Sequence, residues 1–137
     1  MKIALVGTGS EFPIPPTTFG GGIPAHIWYL AKEIKKSGNE PHIITSVGSS
    51  DEIPIHAVGC PFKKTFYTVY FPLASLTKTF RDYDILHVHD RYSFLTQSLV
   101  KKLKGMPLVY TNHFWNWFGN DIRIRLRRSL ELYASKN

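Results

Sequence analysis

Four short apolar runs, each followed by a loop or a helical pattern, leave this chain few folds to choose from. Lys2 to Thr8 (KIALVGT), Pro41 to Ser46 (PHIITS), Asp84 to His89 (DILHVH) and Pro107 to Thr111 (PLVYT) are short and largely apolar. Runs of this kind fit strands covered on both faces of a parallel sheet. Between the first two, Ile23, Ile27, Leu30, Ala31 and Ile34 recur at i, i+4, i+7, i+8 and i+11, which is one face of a helix. Pro24 suits the first turn of that helix, Lys35 and Lys36 its last, and Gly38 the C′ position. A further helix is expected from about Tyr92 to Lys104, with Phe94, Leu95, Leu99 and Leu103 as its apolar stripe and Gly105 as its stop. Ile122, Leu126, Leu130 and Tyr133 share one face of a final helix.

The middle of the chain is less decided. A polar turn, Val47 to Asp51, precedes a weaker apolar alternation from Ile53 to Val58. Between Pro61 and Phe80, Tyr67 to Phe71 reads as a strand, and Pro72 can open a helix running to about Asp82. Strands alternating with helices imply right-handed crossovers and an α/β fold, a three-layer Rossmann-like parallel sheet with helices on both faces. In such a sheet the first strand is central, and loops leaving the C-terminal ends of its neighbours share one crevice. The loops after Thr8, His89 and Thr111 are therefore expected to converge.

At 137 residues, 43% hydrophobic and 20% charged, the chain fits one folded domain. No apolar run approaches the roughly 18 residues needed to span a bilayer, and the start (MKIALVGTGSEF) is no secretory signal, so a cytoplasmic location is expected. The single cysteine, Cys60, has no partner for a disulfide or a zinc pair and reads as a small hydrophobe. A net charge of +7 favours anionic partners without choosing among them. No nucleic-acid motif is present.

Three glycines, Gly20, Gly21 and Gly22, stand immediately before the first helix. A helix N-terminus carries unpaired N–H groups and a partial positive charge, and a loop without side chains lets an anion reach them. The loop lacks the Gly-Lys-Ser/Thr of a Walker A motif, which argues against a nucleoside triphosphatase. Gly7-Thr8-Gly9 begins like a dinucleotide fingerprint, yet prolines intervene before the helix and the second strand ends in Thr45-Ser46 with no acid for a ribose. No nicotinamide, flavin or other cofactor is expected. His89 and Asp90, at a strand end, are placed to hydrogen-bond a polar ligand, while His87, on the same side as His89, reads as a satisfied core histidine. His113, beside Phe114 and Trp115 at the rim, can donate a hydrogen bond and stack on a sugar; His26 lies one turn inside the first helix. His87, His89 and His113 supply a thin ligand set at a spacing that matches no standard zinc pattern, so no metal is expected. The basic helix carrying Arg123, Arg125, Arg127 and Arg128, and the aromatic-basic stretch from Lys63 to Phe80, leave peripheral membrane contact open.

The ordered set Gly21-Gly22-Ile23-Pro24-Ala25-His26, Leu30-Ala31-Lys32-Glu33-Ile34, Gly38-Asn39-Glu40, Ile43-Ile44-Thr45, DILHVHD (Asp84 to Asp90) and PLVYTNH (Pro107 to His113) resembles the opening domain of the family 4 retaining glycosyltransferases. In that family two Rossmann-like domains face each other across a cleft, the GT-B fold, with a nucleotide-sugar donor between them. The resemblance implies that residues 1–137 form the N-terminal, acceptor-side half. It also implies that Gly21 and Gly22 offer backbone N–H groups to the donor, that His113 is the catalytic residue beside the transferred hexose, and that His89 and Asp90 line the acceptor side. His26 matches a family histidine in the first helix, while Asn39 stands where the family often has His.

The family's nucleotide-binding carboxylates lie mainly in its C-terminal domain, so the partners expected are a nucleotide-sugar donor, an unknown acceptor, and that absent domain or a separate subunit. The chain alone is expected to be inactive, because catalysis in a two-walled cleft needs groups from both sides. An unpaired sheet edge at Pro107 to Thr111 would favour a homo-oligomer. The competing reading is a non-catalytic Rossmann-like module that binds a sugar or nucleotide.

Overall fold

Residues 1–7, 13–16, 21–59 and 67–113 are described by a computed structural model. Along the chain run β1 (Lys2–Val6), α1 (Gly22–Lys36), β2 (Glu40–Thr45), β3 (Ile55–Ala57), α2 (Tyr67–Thr79), β4 (Ile85–Val88), α3 (Arg91–Lys104) and β5 (Leu108–Tyr110). All strand pairings are parallel, in the order β3-β2-β1-β4-β5. The order therefore reverses beside β1, as the strand–helix alternation requires.

Strand alternation divides the core into two. Ile3, Leu5 and Ile43 point to one face, where Ile27, Trp28 and Ala31 of α1 cover them. Ala4, Val6, Ile44, Leu86 and Val88 point to the other, against Phe71 of α2 and Phe94 and Val100 of α3. Central strands buried on both faces explain why the apolar runs lack alternation. The end of β1 is tightly seated: the Gly7 N–H donates to the Ile44 carbonyl at 2.7 Å, and a Cβ on Gly7 would lie 3.2 Å from that same oxygen.

The first helix ends as its sequence predicts. Gly38 takes a positive φ of 78°, its N–H donates to the Lys35 carbonyl, and the Asn39 N–H reaches back to Ile34 at 3.2 Å. These two bonds satisfy carbonyls that the last turn would otherwise leave open. Gly105 likewise closes α3, with φ 66° and an N–H donated to the Lys101 carbonyl.

Three expectations fail on the α2/α3 face. Tyr67 to Phe71 is helix rather than strand, and Pro72 sits inside α2 instead of opening it. The missing Pro72 N–H falls near the start of the helix, so one carbonyl of the first turn goes without its partner. The Pro72 carbonyl in turn accepts from Ser75 Oγ at 2.9 Å and from Thr96 Oγ1 of α3 at 3.2 Å. The stripe expected on α3 is also rotated. Leu99 is 50% and Leu103 64% exposed, whereas Ser93, Phe94, Gln97 and Val100 face inward. Periodicity of apolar residues cannot see this, because two of the inward positions are polar: Ser93 bonds to Asp90, and Gln97 donates from its Nε2 to Ser75 Oγ at 3.0 Å while its Oε1 finds no partner among the described residues.

On β5, Leu108 and Tyr110 pack against the α2/α3 core, and Val109, on the opposite side, is exposed. The expected final helix at residues 122–133 and the reading of Cys60 lie outside the described residues. No described helix is long and apolar enough to cross a membrane.

The rotated α3 face predicts an unequal response to truncation. Val100→Ala should cost about 2 kcal/mol through the cavity it leaves, and Leu103→Ser should stay within about 0.5 kcal/mol. Urea unfolding of the two variants checks this.

Candidate functional site

The β4 alternation sends Ile85 and His87 toward the α1 side, and the next residue of that parity is His89, just past the strand end. The His89 N–H donates to the Val6 carbonyl at 3.0 Å, so β4 leaves the sheet level with the end of β1. The His87 and His89 rings stack with centroids 4.3 Å apart. His87 Nε2 lies 2.7 Å from Thr111 Oγ1, so the ring has the partner the sequence suggests, although it is half-buried rather than in the core.

His89 is 1% exposed. Its Nδ1 lies 3.1 Å from Nε2 of His113, three residues beyond β5, and its Nε2 finds no hydrogen-bond partner among the described residues. From above, α1 lowers His26 onto the pair. Its ring centroid is 5.5 Å from that of His89 and 5.0 Å from that of His113, edge-on to both. Three imidazoles from three elements thus share one site at the C-terminal edge of the sheet, and one ring nitrogen of each lies within 4.8 Å of the others. His26, which no spacing in the sequence ties to a metal, supplies the third ring nitrogen.

Gly22 and His26 lie four residues apart, on one face of α1. Gly21 is the N-cap of that helix and makes no side-chain capping bond, and Pro24 has no N–H, so the Gly22 and Ile23 N–H groups stand at a first turn with no intrahelical partner. Gly22 needs no unusual φ, and a Cβ built on it meets nothing within 4 Å. Neither backbone conformation nor packing within the described residues calls for glycine there.

Asp90 has a structural task of its own. It is the N-cap of α3, its Oδ2 accepting from both the N–H and the Oγ of Ser93 at 2.9 Å. Burial pushes its carboxyl above the usual carboxylate range, against the pull of the Ser93 bonds. One carboxylate oxygen thus anchors the turn that carries His89.

Burial drives the electrostatics of the cluster. It holds His89 down to about 2, with the neighbouring rings of His87, His113 and His26 adding to the effect. His113 is lowered by burial first and by His26 second. Near neutral pH His89 and His113 are uncharged, each with one N–H and one lone pair. Where His113 Nε2 accepts from His89 Nδ1, its outer Nδ1 becomes a donor facing away from the pair. In the other tautomer the roles exchange. The pair can therefore offer either function to a hydroxyl-rich ligand without bringing a charge into the site.

Sequence reasoning missed a second histidine group, on the α2/α3 side of the sheet. His42 Nε2 meets Glu40 Oε1 at 2.7 Å, and His42 Nδ1 meets His56 Nε2 at 2.9 Å. The i, i+2 spacing of Glu40 and His42 on a strand is the signal that could have revealed half of it.

The sequence profile described as Glycosyltransferase Family 4 matches residues 20–136. The chain belongs to Glycosyltransferase Family 4. No curated protein sequence matches it significantly. Among solved structures, sucrose-phosphate synthase from Thermosynechococcus elongatus superposes with a TM-score of 0.68 at 12% identity, covering 98% of this chain and 40% of the synthase. That likeness shows a shared fold: the three-layer Rossmann-like α/β sheet is that of one half of a GT-B glycosyltransferase. The chain spans less than half the length of the synthase it matches. As a Glycosyltransferase Family 4 domain, it carries its histidine cluster where the parallel strands β1, β4 and β5 end.

A histidine kept neutral by burial contributes stability above its unfolded pKa near 6.5 and loses it as pH falls below that value. In metal-free buffer, His89 alone should lower the unfolding free energy by about 2 kcal/mol between pH 7 and pH 5. His89→Asn should flatten that slope in chemical denaturation, and an unchanged slope would contradict the assignment.

Proposed function

We propose that this domain is the acceptor-side wall of a retaining glycosyltransferase that moves a hexose from a nucleotide-sugar donor to an acceptor hydroxyl. The observation that carries the reading is the meeting of His26, His89 and His113 beside an α1 N-terminus whose first N–H groups have no intrahelical partner. In this reading Gly21 and Gly22 present bare main chain to the donor's phosphates or reacting sugar, where the partial positive charge of the helix end favours an anion. His113 is the residue proposed to touch the transferred hexose. Its partly exposed, uncharged ring can donate to a sugar hydroxyl or accept from one, and His89 behind it fixes the ring orientation. His26 closes the site from the helix side. The Asp90 bond to α3 holds the turn in place, with the carboxylate at the edge of the acceptor space.

The chemistry of such a cleft needs a second wall to hold the nucleotide and exclude water. We assign that role to an opposing domain, in the same polypeptide or in a separate subunit, and expect residues 1–137 alone not to turn over. A binding module without catalysis is the alternative outcome.

Two substitutions test the reading in the full-length protein, with a panel of nucleotide-sugars and release of nucleoside diphosphate as the signal. His113→Ala should lower kcat by at least 100-fold. Gly22→Ala should leave the melting temperature unchanged or slightly higher, since its Cβ meets open space, while raising the donor KM about tenfold or more. NMR of the product should show the anomeric configuration of the donor retained. Transfer that is indifferent to both substitutions would overturn the assignment.

A further inference from the structure

Three imidazoles, with no carboxylate or ammonium group among them, form an unusual lining for a site expected to meet only sugars and phosphates. We propose that His26, His89 and His113 also form a three-imidazole binding site for a borderline-soft divalent cation of the zinc class. One ligand atom from each lies within 4.8 Å of the others. His89 Nδ1 and His113 Nε2, at 3.1 Å, already stand near the roughly 3.3 Å separation expected of two nitrogens about 2.0–2.1 Å from one tetrahedral ion. His26 is exposed on the first turns of α1, where a staggered change of its χ angles is the movement that would bring its ring nitrogen closer to the pair. Imidazole nitrogens favour Zn²⁺, Cu²⁺, Ni²⁺ and Co²⁺, whereas Mg²⁺ and Ca²⁺ require oxygen ligands that this set does not offer. Three protein ligands leave the fourth position open, as in sites whose ion also meets a small molecule.

The ligands are far apart in sequence, at positions 26, 89 and 113, and no linear zinc pattern marks them. Parallel strand order unites them: β4 and β5 end side by side, and α1 crosses above. A cation held there occupies the lone pairs that the proposed transfer reaction assigns to the sugar. Zinc would then inhibit transfer, and a chelator would restore it. Only this consequence rests on the proposed function; binding itself does not.

Isothermal titration of the protein with ZnCl₂, and separately with MgCl₂, tests the site directly. Zinc should bind and magnesium should not. His26→Ala and His113→Ala should each weaken zinc binding at least tenfold, and His56→Ala, in the separate Glu40–His42–His56 group, should leave it unchanged. Zinc-dependent shifts of the His26 and His113 ring protons in the unsubstituted protein provide the same answer should a variant fail to fold. No zinc binding, or binding indifferent to both His26→Ala and His113→Ala, would overturn the site while leaving the functional reading intact. Binding without inhibition of transfer would contradict the functional reading and leave the site standing.

Discussion

The pairing of β1 with β4 decides where the chemistry of this domain ends up. Val6 opposes Val88, and the next N–H along, that of His89, donates to the Val6 carbonyl. A slip of one residue would turn His87 and His89 toward the α2/α3 core and Leu86 and Val88 toward α1. The apolar face of Leu86 and Val88 against Phe94 and Val100 opposes such a slip, because it would bury imidazoles in place of aliphatic side chains. Hydrophobic burial on one face of the sheet therefore positions polar groups on the other.

Burying His89 is costly unless it stays neutral and bonded, and the structure meets both conditions in part. Its ring is sandwiched between His87 and His113, one nitrogen engaged and the other without a described partner. A buried polar atom left in that state adjoins a site prepared for a ligand more readily than it belongs to a finished core. The Asp90 cap on α3 anchors the turn from below. The ends of β4 and β5 thus place His89 and His113, and His26 stands exposed on α1 above them.

Much of this was legible in the sequence because the signals are local. Doubly buried strands betray themselves as unbroken apolar runs, and α1 by its spacing from Ile23 to Ile34 and by Gly38. The strand ends named His89, Asp90 and His113, since loops at the carboxyl edge of a parallel sheet converge. What stayed hidden depends on tertiary partners. The inward face of α3 runs through two polar residues, Ser93 bonded to Asp90 and Gln97 bonded through its Nε2 to Ser75. Tyr67 to Phe71 has the aromatic and β-branched content of a strand, yet α3 lies alongside to accept it as helix. The role of His26 depends on how α1 lies across the sheet, which no periodicity reports.

Everything at this site turns on one arrangement: a neutral, buried His89 in contact with His113 and under His26. Long-range nitrogen–proton NMR of the imidazoles reports it most directly. His89 should keep a single neutral tautomer from pH 8 to pH 5, with ring-to-ring Overhauser contacts to both His26 and His113. Three separate rings, each titrating freely near the ordinary histidine value with no contacts among them, would contradict it.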